Sequence, residues 1–316
     1  RDLVRSRGLG DVYKRQIEVT FIDPDAPEEE ISAAFRPNTK ALFGETLSNP
    51  GMSVLDIEKF ARIAHNHGVP LIVDNTFATP INCRPFEWGA DIVTHSTTKY
   101  MDGHATSVGG AVVDSGNFDW DTHADKFPGL TTPDESYHGL TYTKAFGKMA
   151  YMTKATAQLM RDLGSIQAPM NAFLLNLGLE TLHLRMPQHC KNAQQVAEWL
   201  EANEQVAWVN FPGLKSNKYY ELARKYMPNG TCGVIAFGLK GSREDAIRFM
   251  DNLKMICIVT HVADARTCVL HPASHTHRQL TDEQLIEAGV APDLIRLSVG
   301  IENANDIIAD IEQALK

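Results

Sequence analysis

Apolar positions recur along this chain in two alternating rhythms. Short runs rich in β-branched residues are separated by stretches in which apolar side chains return every three or four positions. The first rhythm suits buried strands and the second amphipathic helices, so the succession predicts a mostly parallel sheet covered by helices on both faces. Ser53-Val-Leu-Asp56 reads as a capping box ahead of Ile57, Phe60, Ala61 and Ala64 at helical spacing, and Gly68 with Pro70 ends that helix. Strands are predicted at 70–73, 91–94 and 110–113, each short and rich in β-branched residues. From 118 to 142 the pattern lapses into a polar, aromatic connection marked by Pro128, Gly129 and Pro133, the kind of long ordered loop that lines active sites.

Helical spacing resumes over 142–163 and 171–203, and Pro187 should kink or split the second stretch. Beyond it, 232–239, 255–262 and 294–299 read as strands and 306–315 as a final helix, which gives the second half the character of a small α+β domain. Residues 1–16 are basic and lack this periodicity, so they read as a leader foreign to the fold or a disordered arm. The expected division is therefore a leader over 1–16, a large domain over 17–186 and a smaller one over 187–316.

With 316 residues, of which 43% are hydrophobic and 22% charged, the chain is long enough to bury a sizeable core and to form two domains. A net charge of -9 weighs against nucleic acid or an anionic membrane as partner, because both reward a basic face. Small molecules or other protein chains are the expected partners. Cys83, Cys190, Cys232, Cys257 and Cys268 are odd in number and form no C-x-x-C pair, which fits neither a disulfide framework nor a zinc knuckle. A reducing cytoplasm is the expected location. No apolar stretch approaches the roughly 18 residues of a membrane span.

Chemistry enters at Asp74. It follows the buried run Leu71-Ile72-Val73 at the carboxyl end of a strand, where open α/β sheets place ligand-binding groups. Asp74-Asn75-Thr76 could equally cap whatever follows. Lys99 stands 25 residues later, just past the next predicted strand, so both side chains belong to the same sheet edge. Pyridoxal 5'-phosphate requires these groups: a lysine amine to form an imine, and an acid to keep the ring nitrogen protonated. Its phosphate requires donors, and the hydroxyls of Ser96 and Thr98 flank the lysine. A solvated surface lysine among turn residues is the competing reading at this point.

Longer motifs favour the cofactor. Asp74-Asn-Thr-Phe-Ala-Thr-Pro80, Gly89-Ala-Asp-Ile-Val-Thr-His-Ser-Thr-Thr-Lys99-Tyr, Gly103-His and Gly109-Gly-Ala-Val-Val-Asp114 resemble the cysteine/methionine-metabolism family of pyridoxal-phosphate enzymes. The likeness continues through Glu45-Thr-Leu-Ser-Asn-Pro50, Leu179-Glu-Thr-Leu-His-Leu-Arg185, His271-Pro-Ala-Ser274 and Leu294-Ile-Arg-Leu-Ser-Val-Gly-Ile-Glu302, and so from about Ile17 to the end. Phe127-Pro-Gly-Leu130, Ser136-Tyr-His-Gly139, Tyr142-Thr-Lys-Ala-Phe-Gly147 and His261-Val-Ala-Asp-Ala-Arg-Thr267 resemble the O-acetylhomoserine sulfhydrylase branch of that family.

The resemblance implies an α/β fold of the pyridoxal-phosphate transferase kind (fold type I). It assigns Lys99 as Schiff-base lysine and proton shuttle, Asp74 as partner of the ring nitrogen, and Ser96 and Thr98 as phosphate ligands. Asn49 would approach the ring hydroxyl and the substrate, and Arg296 would bind the substrate carboxylate with its two-pronged guanidinium. The implied reaction turns O-acetylhomoserine and sulfide, or a small thiol, into homocysteine or methionine and acetate, in a homotetramer built from dimers.

Two departures matter. Family members carry a long segment ahead of the position of Ile17, which holds part of the cofactor cradle, so weak cofactor binding is expected of this chain. His261 stands where many γ-lyases and synthases have serine. Methionine or cystathionine γ-lyase, a γ-synthase, and an inactive assembly module therefore stay open as alternatives. The histidine-rich turn with His271, His275 and His277 is the one hint of a metal-dependent hydrolase, but it lacks the carboxylates such sites use, and no metal is expected.

Overall fold

Three parallel strands and one antiparallel edge strand make the first sheet of the computed structural model, which describes residues 17–276, 278–287 and 290–316. The expected leader and His277 lie outside the described residues. β1 (Leu42–Glu45), β2 (Leu71–Asp74) and β3 (Ile92–Ser96) run parallel, and β4 (Gly110–Asp114) runs antiparallel to β3. Their register sets Glu45 beside Asp74 and Asp74 beside Thr94, so polar residues end level at the carboxyl edge. The sequence pattern located β2 to β4 within two residues and missed β1.

Two helices precede β2: α1 (Glu28–Ala33) and α2 (Ile57–Asn66). α2 buries Ile57, Phe60, Ala61, Ile63 and Ala64 against the sheet, worth about 1.5–3 kcal/mol for each large side chain. Its cap corrects the expectation. Asp56 accepts from the Lys59 backbone N–H at 3.3 Å, whereas the Ser53 hydroxyl donates to Ser48 at 2.7 Å in the loop before the helix. At the other end Gly68 adopts φ +62, a left-handed conformation that closes the helix without Cβ strain.

The long connection is ordered by a small core that it shares with Ile92 of β3. Phe118, Trp120, Leu130, Tyr142 and Ala150 pack together, and Trp120 stacks on Tyr151 at 5.5 Å. The helix expected over 142–163 is instead a chain of short pieces, Tyr142–Phe146, Ala150–Lys154 and Arg161–Leu163, around a π-helical turn at Ala155–Met160. Gly147, at φ +51, separates the first two.

α3 (Pro169–Ala202) is helical without interruption and so corrects the split expected at Pro187. Proline removes the N–H that the His183 carbonyl would receive, but both residues lie on the exposed face, where water can serve that carbonyl. Buried Leu182, Met186, His189 and Ala193 hold the helix on either side.

The second sheet has the order β5 (Val206–Asn210), β6 (Val234–Leu239), β9 (Leu294–Ser298), β8 (Cys268–Leu270), β7 (Cys257–Ile258). The neighbours from β5 to β8 pair antiparallel, and β7 joins β8 in parallel. Phe237, Ile235, Ile295 and Leu297 meet Val196 and Leu200 of α3, Phe249 of α5 (Arg243–Asp251) and Ile307 and Ile311 of the final helix (Ala304–Leu315) in one core, with α4 (Tyr220–Tyr226) to the side. The strand expected over 255–262 shrinks to Cys257–Ile258 because side chains take its neighbours' backbone groups. Asp310 accepts from the N–H groups of Lys254, Met255 and Ile256 at 2.9 Å each, and Arg296 donates to the carbonyls of Thr260 and His261.

α3 also fixes the turn that follows Lys99. Gly178 lets the backbones touch, since a Cβ there would lie 2.4 Å from the Met101 carbonyl oxygen. Arg185, only 5% exposed, donates to the carbonyls of Tyr100 at 2.8 Å and Gly178 at 2.7 Å. Replacing it by Met should leave these buried carbonyls without a donor. Denaturant unfolding of Arg185→Met should show a loss of about 2–3 kcal/mol, and an unchanged midpoint would refute this account of the turn.

Candidate active site

The carboxyl edge of the first sheet is tied together by one hydroxyl. Asp74 Oδ1 accepts from the Thr76 backbone N–H at 2.9 Å and from Thr76 Oγ1 at 2.5 Å, and Thr76 Oγ1 itself accepts from the Ser96 backbone N–H at 2.8 Å. The ends of β2 and β3 are thereby set at a fixed spacing. The turn after β3 is equally constrained. Lys99 N–H donates to the Ser96 carbonyl at 3.3 Å, and Thr98 Oγ1 donates to the Gly109 carbonyl at 3.3 Å while accepting its N–H at 3.1 Å. Asp74, Ser96, Thr98 and Lys99 are thus gathered on one edge, as the sequence pattern expected.

Arg296 reaches the same place from β9. It is 7% exposed, and its Nη1 donates to Asn49 Oδ1 at 3.2 Å across 247 residues of chain. Nη2 donates to the carbonyls of Thr260 at 2.9 Å and His261 at 3.2 Å. Burial, together with the positive charge of Arg296, holds the half-buried Lys99 ammonium below the ordinary lysine range. A lysine so placed gives up its proton more readily than one in water, which is what an imine-forming or proton-shuttling amine requires. Beside it opens a cleft of about 330 Å³ lined by Thr98, Thr106, Ser107, Asn171 and His261.

Thr76, Glu45 and His95 were given no role from sequence, and His261 was noted there only as a departure. Thr76 carries the bond that joins the two strand ends, and its trace was the D-x-T turn pattern, read only as a possible cap. Glu45 sits beside Asp74, and burial with the like charge of Asp74 pushes its carboxyl up to about 7. The residue as a whole is exposed, while its carboxyl group is partly desolvated beside Asp74. The sequence offered it only as the first residue of the family-like motif Glu45–Pro50, without a role, because β1 itself was not predicted. His95 on β3 and His261 at the cleft have a buried ring nitrogen each, Nδ1 and Nε2, without a protein partner, and burial holds both imidazoles below their ordinary range.

The histidine-rich turn is engaged elsewhere. His271 bonds Ser274 at 2.8 Å and the Pro292 carbonyl at 2.9 Å, and His275 bonds the His271 carbonyl. Among the described residues, no three His, Cys, Asp or Glu side chains gather in a metal-binding group.

Pyridoxal phosphate fits this edge. It needs an amine of lowered basicity, a carboxylate for its ring nitrogen and hydroxyl donors for its phosphate, and these sit on adjoining strand ends. The fold and site thus define an α/β enzyme of the pyridoxal-phosphate class. The model of the Cys/Met metabolism PLP-dependent enzyme family matches residues 9–316, and the chain belongs to that family. It is 45% identical over 311 residues to the homocysteine/cysteine synthase of Saccharomyces cerevisiae, covering 95% of this chain and 70% of that protein. To the O-acetyl-L-homoserine sulfhydrylase of Leptospira meyeri it is 44% identical, over 96% of this chain and 70% of that protein. A solved Campylobacter jejuni structure, whose proposed activity is that of an O-acetylhomoserine (thiol)-lyase and which carries N'-pyridoxyl-lysine-5'-monophosphate, superposes with a TM-score of 0.92. It is 38% identical and covers 96% of this chain and 72% of that one. The expected fold is therefore present.

The depressed basicity of Lys99 is measurable without substrate. Amine labelling followed across pH by mass spectrometry should give Lys99 a midpoint below the ordinary lysine value. Arg296→Gln should raise that midpoint, because removing a neighbouring positive charge favours the ammonium. A midpoint that Arg296→Gln leaves in place would contradict the electrostatic coupling.

Proposed function

We propose that this chain catalyses γ-replacement, converting O-acetylhomoserine and sulfide, or a small thiol, into homocysteine, or methionine, and acetate. The observation that carries the reading is the meeting of Lys99, an amine of lowered basicity, with the Asn49–Arg296 pair at one sheet edge. Family membership and relatives named for homocysteine synthesis and O-acetylhomoserine sulfhydrylation support the substrate class.

When bound, pyridoxal phosphate supplies the electron sink that lets a proton leave a carbon next to the substrate amine. Lys99 would hold it through Nζ, Asp74 would keep its ring nitrogen protonated, and the Ser96 hydroxyl would donate to its phosphate, joined by Thr98 once its proton turns away from the Gly109 carbonyl. Arg296 grips the substrate carboxylate with nitrogens whose direction Asn49 and two backbone carbonyls fix. That grip orients the α carbon toward Lys99. The Lys99 amine would take the α proton and carry protons between the α and β carbons. Acetate leaves the γ carbon with the bonding pair, sulfide forms the new C–S bond there, and Lys99 returns the protons.

We place the boundary between the large part (17–186) and the smaller part (187–316) inside α3. Through Arg185 its first half holds the turn after Lys99, and its second half packs on the second sheet. A homotetramer built from dimers is the assembly we propose. It is supported by the exposed apolar side chains of Leu159, Leu163, Ile166, Met170, Phe173 and Leu184 along one stretch of chain. Among the described residues no helix is long and apolar enough to cross a membrane, and we propose a cytoplasmic location.

The decisive test loads the chain with pyridoxal phosphate, reduces with borohydride and maps the pyridoxyl adduct. It should lie on Lys99 and be lost in Lys99→Ala, while the loaded chain should form homocysteine from O-acetylhomoserine and sulfide. An adduct on another lysine would overturn the assignment. Release of a thiol and a 2-oxo acid from methionine, without homocysteine synthesis, would make the chain a γ-lyase.

A further inference from the structure

Glu45 ends β1 in register with Asp74 of β2, so two carboxyl groups stand side by side on neighbouring parallel strands at the edge that holds Lys99. Like charges this close disfavour one another unless something else uses them. Among the described residues Glu45 makes no ion pair. Its Oε2 accepts instead from the Asn49 backbone N–H at 3.2 Å, and Asn49 then accepts, through Oδ1, from Arg296 Nη1 at 3.2 Å. Arg296 Nη2 is already committed to the carbonyls of Thr260 and His261. Asn49 is therefore what sets the direction of the other guanidinium nitrogen, and Glu45 is what sets Asn49. A chain of carboxylate, amide and guanidinium runs from the first sheet to the second.

We propose that Glu45 is a positioning residue for the substrate-carboxylate site, holding Asn49 against Arg296 more firmly when ionised than when protonated. This rests on the reading of Arg296 as the carboxylate-binding group. An ionised carboxylate accepts a stronger hydrogen bond than a neutral one, so its protonation loosens the relay. Asp74 is the charged group facing Glu45 from β2, Arg296 on β9 lies beyond Asn49, and Lys99 lies beyond Arg296. The crowding and the Asp74 charge that push the Glu45 carboxyl up to about 7 bring this change into the neutral range. The sign follows: the relay is loose below that pH and firm above it.

The test uses L-norleucine, an amino acid without a leaving group, titrated calorimetrically into the pyridoxal-phosphate-loaded protein from pH 6 to 8.5. The parent should tighten by about tenfold on crossing pH 7 relative to Glu45→Gln, whose amide oxygen accepts the Asn49 N–H equally at every pH. Titration of the ligand's own amine is common to both proteins and cancels in that comparison. Glu45→Ala should bind about tenfold more weakly than the parent at pH 8. Hydrogen exchange at the Asn49 amide of the cofactor-free protein gives a second readout: slow in the parent and in Glu45→Gln, about tenfold faster in Glu45→Ala. Identical pH profiles for parent and Glu45→Gln, or unchanged Asn49 exchange in Glu45→Ala, would overturn the proposal. If the parent makes no homocysteine, the reaction assignment fails by itself, while the exchange measurement still decides what Glu45 holds.

Discussion

A buried guanidinium needs hydrogen-bond partners that hold it in place, and Arg296 on β9 sets that requirement between the two sheets. The groups that meet it come from both halves of the chain: Asn49 from the loop after β1, and the carbonyls of Thr260 and His261 from the segment before β8. Because a cation left short of partners in so dry a place is strongly unfavourable, the two sheets have little freedom to move apart there. The same charge also acts on Lys99. Its proximity, added to burial, lowers the basicity of the Lys99 amine. One interaction thus fixes the relative position of two sheets and tunes a reactive group.

Around this centre the structure repeats one device, a polar side chain that takes up backbone groups where strands and helices end. Thr76 joins the ends of β2 and β3, Thr98 closes the loop at Gly109, Arg185 occupies the carbonyls after Lys99, and Asp310 collects three N–H groups before β7. Each satisfies atoms that secondary structure leaves open, and each does so next to the site or at the limit of an element. The Lys99 turn is consequently held by hydrogen bonds without belonging to a helix or strand.

Much of this was legible in the sequence, and for identifiable reasons. Hydrophobic period reports which residues face a core, so the α/β succession, β2 to β4 and the buried face of α2 followed from it. The Lys99 turn was legible because its chemistry is local: Ser96, Thr98 and Lys99 are near neighbours in the chain, and Asp74 ends the adjacent strand. Periodicity failed where a side chain competed for backbone groups. Asp310 and Arg296 shorten the strand expected over 255–262, and Asp56 replaces Ser53 as helix cap because Ser53 is bonded to Ser48. Pro187 leaves α3 whole because the carbonyl it orphans faces water.

By itself, then, the sequence determined the alternation of strands and helices, and through its longer motifs the family and its cofactor class. It did not determine that Glu45 would stand beside Asp74, that Asn49 would meet Arg296, or that His261 would line the cleft by Thr98. Those are decisions of register and of packing between sheets. They depend on which strands become neighbours and on where a buried charge finds its partners, and no local pattern of residues carries that information.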